Sequence, residues 1–461
     1  MAAELIIRGG TVVTAAGRRT ADVAVSGGVI TAVEARLPAR ADAREIDARG
    51  LLVLPGVIDV HTHTRIASDA EPDRFFQDSA AAAFGGTTTF LCFNNPGTGS
   101  PRTGSLADDA RRWRAATDAD SAVDYGLSPV ITPAEPDAVA ELPALIDAGL
   151  PTFKAFMVYD FGVADATLSA LLAAAGAHGG MLNVHCEDRA RLEANTARLL
   201  AAGSSAPRHH ADSRPPAVEA AGTRHAIELA TAAGAPLYIV HLSSAAALAE
   251  LRRARAAGRP VFAETCPHYL ALDSTRYELP AADAVRYVIS PPLRSAEDRI
   301  ALWAGLADGA LGNIATDHVP DRLAVEKQNW RDPFDRISNG APGIETLLTV
   351  VYSEGVAAGR LSLERMVDLL ATTPARLFGL PHKGAIAAGR DADLVLFEPA
   401  ERRTLTAAEL HHTSDYTPYE GLPVAGGVVS VLVRGDFVVR DGHFVGRRGH
   451  GRFQERARPD Y

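Results

Sequence analysis

The sequence predicts an α/β protein, a (β/α)8 TIM-like barrel that carries a small β-sandwich domain built from both chain ends. The first observation is that eight short apolar runs alternate with Ala-rich stretches of helical spacing between residues 56 and 318. The second is that the flanking segments alternate apolar and polar residues between Gly-rich turns, as antiparallel strands do. We therefore predict sandwich strands in residues 1–54, the barrel in 55–383, and the rest of the sandwich with a C-terminal tail in 384–461.

The sandwich prediction depends on turn signals near both ends of the chain. Gly9-Gly10 and Gly27-Gly28 separate strand-like runs in the first segment, and residues 389–397 follow a glycine with a similar run. We expect the two ends to pair with each other beside the barrel. We expect the polar tail, residues 447–461, to be mobile or to reach a neighbouring subunit.

The barrel prediction depends on runs that have the length and apolar character of strands buried on both faces. In chain order these runs are residues 56–60, 87–93, 125–131, 152–157, 181–185, 237–241, 261–266 and 313–316. Apolar residues at helical spacing over 165–178 and 217–233 predict helices between the fourth, fifth and sixth runs. In such a barrel the C-terminal ends of all strands meet at one face, where these folds carry their chemistry.

The composition excludes several classes of function. In a chain of 461 residues, 47% hydrophobic and 22% charged residues are ordinary for a soluble globular protein. A formal net charge of −10 argues against a nucleic-acid partner, and the lack of an apolar run of about 18 residues argues against a membrane span. Three cysteines and the lack of a signal-peptide pattern predict a reducing, cytoplasmic location.

Side chains that can bind metals mark the ends of these runs. His61 and His63 are one residue apart at the end of the first run, so both imidazoles can face the same ion. Four further candidates lie in or just after other runs, namely Lys154, His185, His241 and Asp317. Because the ends of the predicted strands share one face, these six residues together predict a metal centre.

The lysine is an unusual member of this set, because a protonated ammonium group cannot bind a cation. If carbon dioxide carboxylates its amine, Lys154 gains a carboxylate that can bridge two ions roughly 3.5–4 Å apart. Imidazole and carboxylate ligands favour two Zn²⁺ ions, with Mn²⁺ or Co²⁺ as substitutes. The other ligands would divide between the ions, with His61, His63 and Asp317 on the first and His185 and His241 on the second.

Such a centre predicts hydrolysis. Two ions lower the pKa of a water that they share, and the resulting hydroxide can attack a carbonyl carbon that one ion polarises. Asp317 would take the proton of the hydroxide and pass it to the leaving nitrogen, acting first as general base and then as general acid. The predicted reaction is therefore cleavage of an amide bond without a side-chain nucleophile.

Further segments point to a family. They are residues 83–89 (AFGGTTT), 153–159 (FKAFMVY), 264–270 (ETCPHYL), 290–294 (SPPLR), 338–345 (SNGAPGIE) and 411–416 (HHTSDY). In their order and content they resemble the dihydropyrimidinase/hydantoinase branch of the cyclic amidohydrolases, and the resemblance extends from about Ile6 to Gly449. It implies a barrel-plus-sandwich fold, usually a homotetramer. It also implies ring opening of a small cyclic imide or ureide, a hydantoin or a dihydropyrimidine, to an N-carbamoyl amino acid.

The same resemblance implies roles for individual residues. Lys154 would be the carboxylated bridging ligand, and Tyr159 would hydrogen-bond the oxyanion. Ser290 and Asn339 would contact the ring amide through backbone groups. A scaffold protein related to dihydropyrimidinase is the alternative outside the enzymes, but such a paralogue should lack metal ligands, and none of the six positions is missing here.

One loop departs from the hydantoinase pattern. Arg65 follows the His pair at a spacing similar to that of dihydroorotases, and Asn95 lies where those enzymes place a second contact to the substrate carboxylate. A guanidinium and an amide can together bind a carboxylate, so the alternative is a dihydroorotase-like or allantoinase-like hydrolase of an acidic or ureide ring. The competing interpretation is that Arg65 pairs with Asp69, Glu71 or Asp73 in its own loop.

The remaining histidines receive weaker assignments. We expect His209, His210, His411 and His412 to be solvated, because their local sequence is polar or lies beyond the barrel. His318 directly follows Asp317, and its sequence position leaves open whether it orients the base or the substrate.

Overall fold

The computed structural model describes residues 4–39, 41–100 and 102–461, so the first three residues of the predicted segment 1–54 lie outside the described ranges. Its strands are β1 (Leu5–Thr14), β2 (Gly17–Ser26), β3 (Val29–Glu34), β4 (Arg44–Asp47), β5 (Leu52–Pro55), β6 (Val57–Thr62), β7 (Thr87–Cys92), β8 (Asp124–Leu127), β9 (Thr152–Phe156), β10 (Met181–His185), β11 (Leu237–Ile239), β12 (Val261–Thr265), β13 (Asn313–Ile314), β14 (Leu394–Thr404), β15 (Pro423–Val433), β16 (Asp436–Arg440) and β17 (His443–Phe444).

The helices lie mainly between the middle strands, so the architecture is mixed α/β. They are α1 (Arg74–Phe84), α2 (Leu106–Thr117), α3 (Ala138–Asp147), α4 (Asp165–Ala177), α5 (Arg189–Ala201), α6 (His209–Ser213), α7 (Pro216–Ala233), α8 (Ala245–Ala256), α9 (Pro267–Ala271), α10 (Ala281–Ala284), α11 (Ala296–Ala307), α12 (Leu347–Val351), α13 (Leu363–Val367) and α14 (Thr373–Leu377). Short π-helical turns extend α12 and α13. Within the described ranges, none of the helices has both the length and the hydropathy needed to span a bilayer.

Both ends of the chain enter one sheet, which we call the terminal sheet. In the described part of the chain it has nine strands, ordered β17-β16-β15-β14-β5-β1-β2-β3, with β4 paired to β1. The two ends meet where β14 runs antiparallel to β5, with Leu394 opposite Pro55. Side chains of this sheet, including Leu5, Val23 and Leu432, pack together in a core of their own. The expected pairing of the two chain ends is therefore present.

The middle strands are parallel. β6, β7 and β8 form one sheet, and β9 to β13 form another. Two parallel bridges connect these sheets, one between Val130 and Lys154 and the other between Thr62 and His318. Each of the eight predicted runs overlaps one of these strands, and nearly all of the strand residues are buried. Burial on both faces explains why the runs are almost continuously apolar rather than alternating.

The predicted helices 165–178 and 217–233 correspond to α4 and α7, which pack against each other. Pro216 occupies the first turn of α7, where its fixed φ suits the helix and its missing N–H leaves no bond unmade. Gly234 ends this helix with a φ of 63°, a left-handed conformation that favours glycine.

The C-terminal tail packs against its own chain rather than extending away from it. The Tyr125 amide donates to the Arg452 carbonyl over 3.1 Å, and the Gln454 amide donates to the Tyr125 carbonyl over 2.8 Å. The buried guanidinium of Arg456 donates to Thr152 Oγ1 over 2.7 Å. These bonds fix the tail along β8 and β9, contrary to the expectation that it is mobile.

A buried ion cluster joins the terminal sheet to the parallel strands. Lys383 Nζ lies 2.7 Å from Asp124 Oδ2, 2.6 Å from Asp393 Oδ2 and 3.1 Å from Asp391 Oδ2. Arg434 also contacts Asp124. Asp124 begins β8, so the cluster lies at the opposite strand end from the predicted metal ligands.

We expect Lys383→Met to lower the free energy of unfolding by about 3–5 kcal/mol, because it leaves buried carboxylates without their cation. Urea unfolding of wild type and variant measures the difference. Because the cluster is remote from the predicted ligands, kcat and KM measured below the unfolding transition should not change. A variant as stable as wild type would contradict this role for the cluster.

Candidate metal centre

The structure brings all six predicted metal ligands to one end of the parallel strands. His61 lies within β6, Lys154 within β9, and His185 at the end of β10, while the other three lie one to three residues after the ends of β6, β11 and β13. All six side chains are buried, with no residue more than 7% exposed. The predicted ligands, His61, His63, Lys154, His185, His241 and Asp317, therefore share one buried region.

His61, His63 and Asp317 form the tightest group. Asp317 Oδ1 lies 3.0 Å from Nε2 of His61 and 3.0 Å from Nε2 of His63. The two Nε2 atoms are 3.3 Å apart. Burial by itself would raise the pKa of Asp317, but the two imidazoles hold it well below its usual value. Three ligand atoms facing one point fit a divalent ion.

His185 and His241 lie beside this group. Their ring centroids are 4.5 Å apart, and the His241 ring lies 5.4 Å from that of His61. Burial lowers the pKa of both imidazoles, and in His241 the neighbouring His185 adds to the effect. Both rings are therefore neutral near pH 7, which is the form that binds metals.

Lys154 lies between the two groups of histidines. Its Nζ is 4.7 Å from the Phe93 ring centroid and 4.8 Å from that of Phe156. The Phe93 ring lies 4.6 Å from His61, and the Phe156 ring lies 5.6 Å from His185.

The surroundings of this amine fit a group that is modified in use. Among the residues that the structure describes, the fully buried Nζ of Lys154 has no hydrogen-bond partner. Burial lowers its pKa to about 8. An uncompensated ammonium is costly in such a place, and the neutral amine is the form that can react with carbon dioxide. The six side chains present therefore fit a divalent metal centre, to which Lys154 could contribute a ligand once its amine is modified.

Three of the site residues have strained backbones. In the described ranges, five non-glycine residues have a positive φ, and Tyr159 (70°), His241 (40°) and Asp317 (51°) are among them. Strain of this kind persists where the surrounding structure fixes a residue, and it clusters at functional sites. The positive φ values direct the side chains of His241 and Asp317 into the site, just beyond the ends of their strands.

Glu264, whose role the sequence analysis missed, contacts the Nδ1 atom of His61, while the Nε2 atom of the same ring faces Asp317. The Glu264 carboxylate accepts from His61 Nδ1 and, over 2.9 Å, from the Tyr238 hydroxyl. Asn95 Oδ1 contacts the Nδ1 atom of His63 in the same way. Such partners fix the orientation and tautomer of ligand imidazoles. A carboxylate inside the buried strand β12 was the available signal in the sequence.

A second buried pair supports His185. Glu187 Oε2 lies 2.7 Å from His185 Nε2 and also contacts the Arg214 guanidinium. Burial opposes ionisation of Glu187, but Arg214 and His185 together lower its pKa to about 2. The ionised carboxylate therefore anchors the imidazole, and Arg214 in turn lies 5.5 Å from the Tyr159 ring.

A cavity of about 280 Å³ opens onto this group. Its walls include most of the predicted site residues, namely His63, Arg65, Asn95, Tyr159, His185, His241, Ser290, Asp317 and Asn339. Ser290 Oγ donates to Asn339 Oδ1 over 2.9 Å, which links the two loops predicted to contact the ring amide. Burial raises the pKa of Tyr159, so its phenol stays protonated and can donate a hydrogen bond.

Arg65 lines the cavity but has partners other than those considered from the sequence. Its Nη1 atom lies 2.5 Å from Glu326 Oε1, and its Nη2 atom contacts Asp321. Both carboxylates belong to the loop after β13, more than 250 residues away, rather than to the loop of Arg65 itself.

Several histidine predictions need correction. His210 is buried, and its Nε2 atom lies 2.8 Å from the Ile289 carbonyl, so the prediction that it is solvated was wrong. His412 is also buried. His318 turns away from the cavity, because its Nδ1 atom accepts from the Gly343 amide over 3.1 Å. The partner of His210 lies 79 residues away in the sequence and that of His318 lies 25 residues away, so the local pattern carried no signal.

Lys327 is a further buried residue that the sequence analysis did not identify. Its ammonium donates to the Val288 carbonyl over 3.2 Å and to the Ser338 carbonyl over 2.7 Å. These carbonyls belong to the loops that carry Ser290 and Asn339. The lysine therefore fixes the spacing between two loops of the cavity wall.

We expect Lys327→Met to raise KM by roughly 5–20-fold with a smaller change in kcat, because two buried carbonyls lose their donor and the cavity wall loosens. Steady-state kinetics with metal analysis measures both. Lys383→Met is the matched control, since it also removes a buried ammonium but at the far end of the strands. If both variants lost stability and left KM unchanged, Lys327 would have only a structural role.

Comparisons with known proteins show the family to which this fold and sequence are similar. The profile of the Amidohydrolase family matches residues 52–438. The D-phenylhydantoinase of Escherichia coli O1:K1 / APEC is 38% identical over 456 residues, which cover 98% of each chain. The D-hydantoinase of Streptomyces coelicolor is 37% identical over an alignment of 470 positions, which covers 100% of each chain. The crystal structure of dihydropyrimidinase from Brevibacillus agri NCHU1002 matches with a TM-score of 0.93 at 40% identity, covering 99% of each chain.

Proposed function

This chain belongs to the amidohydrolase family, and we propose that it hydrolyses the cyclic amide bond of a hydantoin or dihydropyrimidine ring to give an N-carbamoyl amino acid. The observation that carries the proposal is the convergence of four imidazoles, Asp317 and the amine of Lys154 beside one cavity, where that amine has no hydrogen-bond partner among the described residues. The names of the full-length relatives support the choice of ring.

The family implies a divalent metal centre. We propose that it holds two Zn²⁺ ions, for which Mn²⁺ or Co²⁺ can substitute, and that carbon dioxide carboxylates Lys154. His61, His63 and Asp317 would bind one ion, His185 and His241 the other, and Lys154 both. When bound, the ions supply a hydroxide nucleophile and polarise the carbonyl of the ring.

The residues of the chain carry out the remaining steps. Asp317 faces the cavity and would take up the proton of the nucleophile, then deliver it to the nitrogen that leaves when the ring opens. Tyr159 would donate a hydrogen bond to the carbonyl oxygen as negative charge develops there. Ser290 and Asn339 would hold the ring amide through backbone groups.

The domain organisation is part of the proposal. The two bridges between the parallel sheets support a closed (β/α)8 barrel over residues 55–383. The separate core of the terminal sheet supports a sheet folded onto itself as a sandwich, made of residues 1–54 and the part of 384–461 that precedes the tail. We also propose a homotetramer, from the family resemblance, and a cytoplasmic location, which the three free cysteines support.

A second candidate is a dihydroorotase-like or allantoinase-like hydrolase in which Arg65 and Asn95 bind the substrate. The observation that favours it is that both side chains line the cavity. Against it, both Nη atoms of Arg65 are paired, and Asn95 Oδ1 contacts His63. A scaffold without catalysis is less well supported, because the six side chains that would bind metal converge.

The test is the ring-opening rate of the zinc-loaded protein on a neutral 5-substituted hydantoin and on dihydroorotate at equal concentration. We expect faster opening of the hydantoin, with activity lost on removal of the metal by a chelator and restored by Zn²⁺. Faster opening of dihydroorotate would favour the second candidate, and a protein that purifies without metal and opens neither ring would contradict both.

A further inference from the structure

We propose that Arg65 is a bridge between two loops of the cavity wall, held by Asp321 and Glu326, and that this bridge makes the site select rings without a carboxylate substituent. The inference deepens the proposed ring hydrolysis and depends on it. In this role Arg65, a residue of the cavity wall, disfavours a substrate carboxylate instead of binding it.

The bridge joins two loops. Arg65 lies in the loop after β6, and both of its partners lie in the loop after β13. Its Nη1 atom lies 2.5 Å from Glu326 Oε1, and its Nη2 atom contacts the fully buried Asp321. The Arg65 side chain is only 14% exposed. The guanidinium is therefore fixed by two ionic hydrogen bonds, which are stronger than neutral ones.

A wider network holds this bridge in place. Glu326 also accepts from Arg74 Nη2 over 3.2 Å and from the Arg322 amide over 2.8 Å. Glu71, in the first loop, contacts Arg74 at 2.5 Å and Arg322 at 2.6 Å. The network thus balances three guanidinium groups against three carboxylates, namely Arg65, Arg74 and Arg322 against Glu71, Asp321 and Glu326. Networks of this kind hold charges in place better than isolated surface pairs do.

Among the described residues, this balance leaves no guanidinium of the network without a carboxylate partner. To bind a substrate carboxylate with the same two Nη–H groups, Arg65 would have to release Asp321 or Glu326. Asp321 is the costlier to release, since it is fully buried and its Oδ2 atom already has no hydrogen-bond partner among the described residues. An unpaired buried carboxylate is strongly destabilising. A ring with a neutral substituent enters the cavity without this cost.

The experiment uses two rings that differ by one carboxylate, dihydrouracil and dihydroorotate. The quantity measured is the ratio of their kcat/KM values in the zinc-loaded enzyme. We expect wild type to favour dihydrouracil. Glu326→Gln keeps the size of the side chain but removes one negative charge from Arg65, so we expect it to raise the relative kcat/KM for dihydroorotate by about tenfold. Asp321→Asn should shift the ratio in the same direction, and it is the variant to measure if Glu326→Gln does not fold.

Arg65→Ala separates the two roles of this residue. If Arg65 is a bridge, its loss should lower kcat/KM on both rings by similar factors, because the cavity wall loosens for each. A selective loss on dihydroorotate in Arg65→Ala, with an unchanged ratio in Glu326→Gln, would overturn the proposal. Arg252→Ala is the control, because it removes an exposed pair with Asp308 on the outer helices and should leave the ratio unchanged.

A double-mutant cycle distinguishes failure of this inference from failure of the proposed function. If wild type opens neither ring, the proposed function fails, but the bridge can still be measured from the unfolding of Arg65→Ala, Glu326→Gln and the double variant. We expect the two substitutions to be non-additive, as residues in contact are. Strictly additive effects would show that the bridge does not exist in solution, whatever the activity of the enzyme.

Discussion

Lys154→Ala is expected to abolish both the bound metal pair and the ring opening, with kcat/KM falling at least about a thousandfold, or roughly 4 kcal/mol of transition-state stabilisation. The reason is the position of the amine. It lies between His61 and His185, in contact with the Phe93 and Phe156 rings, where no other described side chain replaces it as a bridge. Metal analysis of the purified variant and its steady-state rate measure the two effects.

Two controls make this result specific. Lys383→Met removes another buried ammonium, and we expect it to retain full metal content and rate, since Lys383 lies at the opposite strand ends. A small carboxylic acid such as propionate should partly restore metal binding to Lys154→Ala, because it supplies the missing carboxylate to the cavity that the substitution leaves. A variant with near-normal metal content and rate would contradict the bridging role of Lys154.

Asp317→Asn is expected to preserve the fold and lower kcat by about 10²–10⁴-fold, the usual contribution of a general acid–base group. The amide keeps the size of the side chain and can still contact His61 and His63, but it cannot take up a proton. Rates in wild type and variant at matched metal content measure the effect. Matched metal content is needed because Asp317 is also a proposed ligand, and a lower rate by itself would not separate the two roles.

The outcome that contradicts this prediction is a fully metal-loaded Asp317→Asn that turns over at close to the wild-type rate. Another residue would then have to carry the proton. His318 is a poor replacement, because its Nδ1 atom accepts from the Gly343 amide and the ring turns away from the cavity.

The strands could be predicted from the sequence because each one depends on a local run of apolar residues. A parallel strand covered on both faces is apolar along its whole length, so the eight runs are visible without any knowledge of their partners. The convergence of the candidate ligands could be predicted for a related reason. Parallel strands bring their C-terminal ends together, so a histidine or an aspartate at such an end has a known neighbourhood. Lys154 was recognisable because a lysine inside an apolar strand needs a chemical explanation.

The tail and several histidines were not predictable in this way. His210 follows a polar stretch, yet it is buried against the Ile289 carbonyl. The polar composition of the tail predicts a mobile segment, yet Arg456 donates a hydrogen bond to the buried hydroxyl of Thr152. In both cases a contact distant in sequence outweighs the local composition.

The sequence by itself determined the order of strands and helices, the six predicted ligands and the class of reaction that they suggest. Only the tertiary structure decided which groups contact those predicted ligands and which carboxylates pair with Arg65. His61 and Glu264 are 203 residues apart, and Arg65 and Glu326 are 261 residues apart. The physical reason is that strand burial and ligand type follow from nearby residues. The partner of a charged side chain depends instead on which distant loops lie next to each other, and a single sequence does not show which loops do.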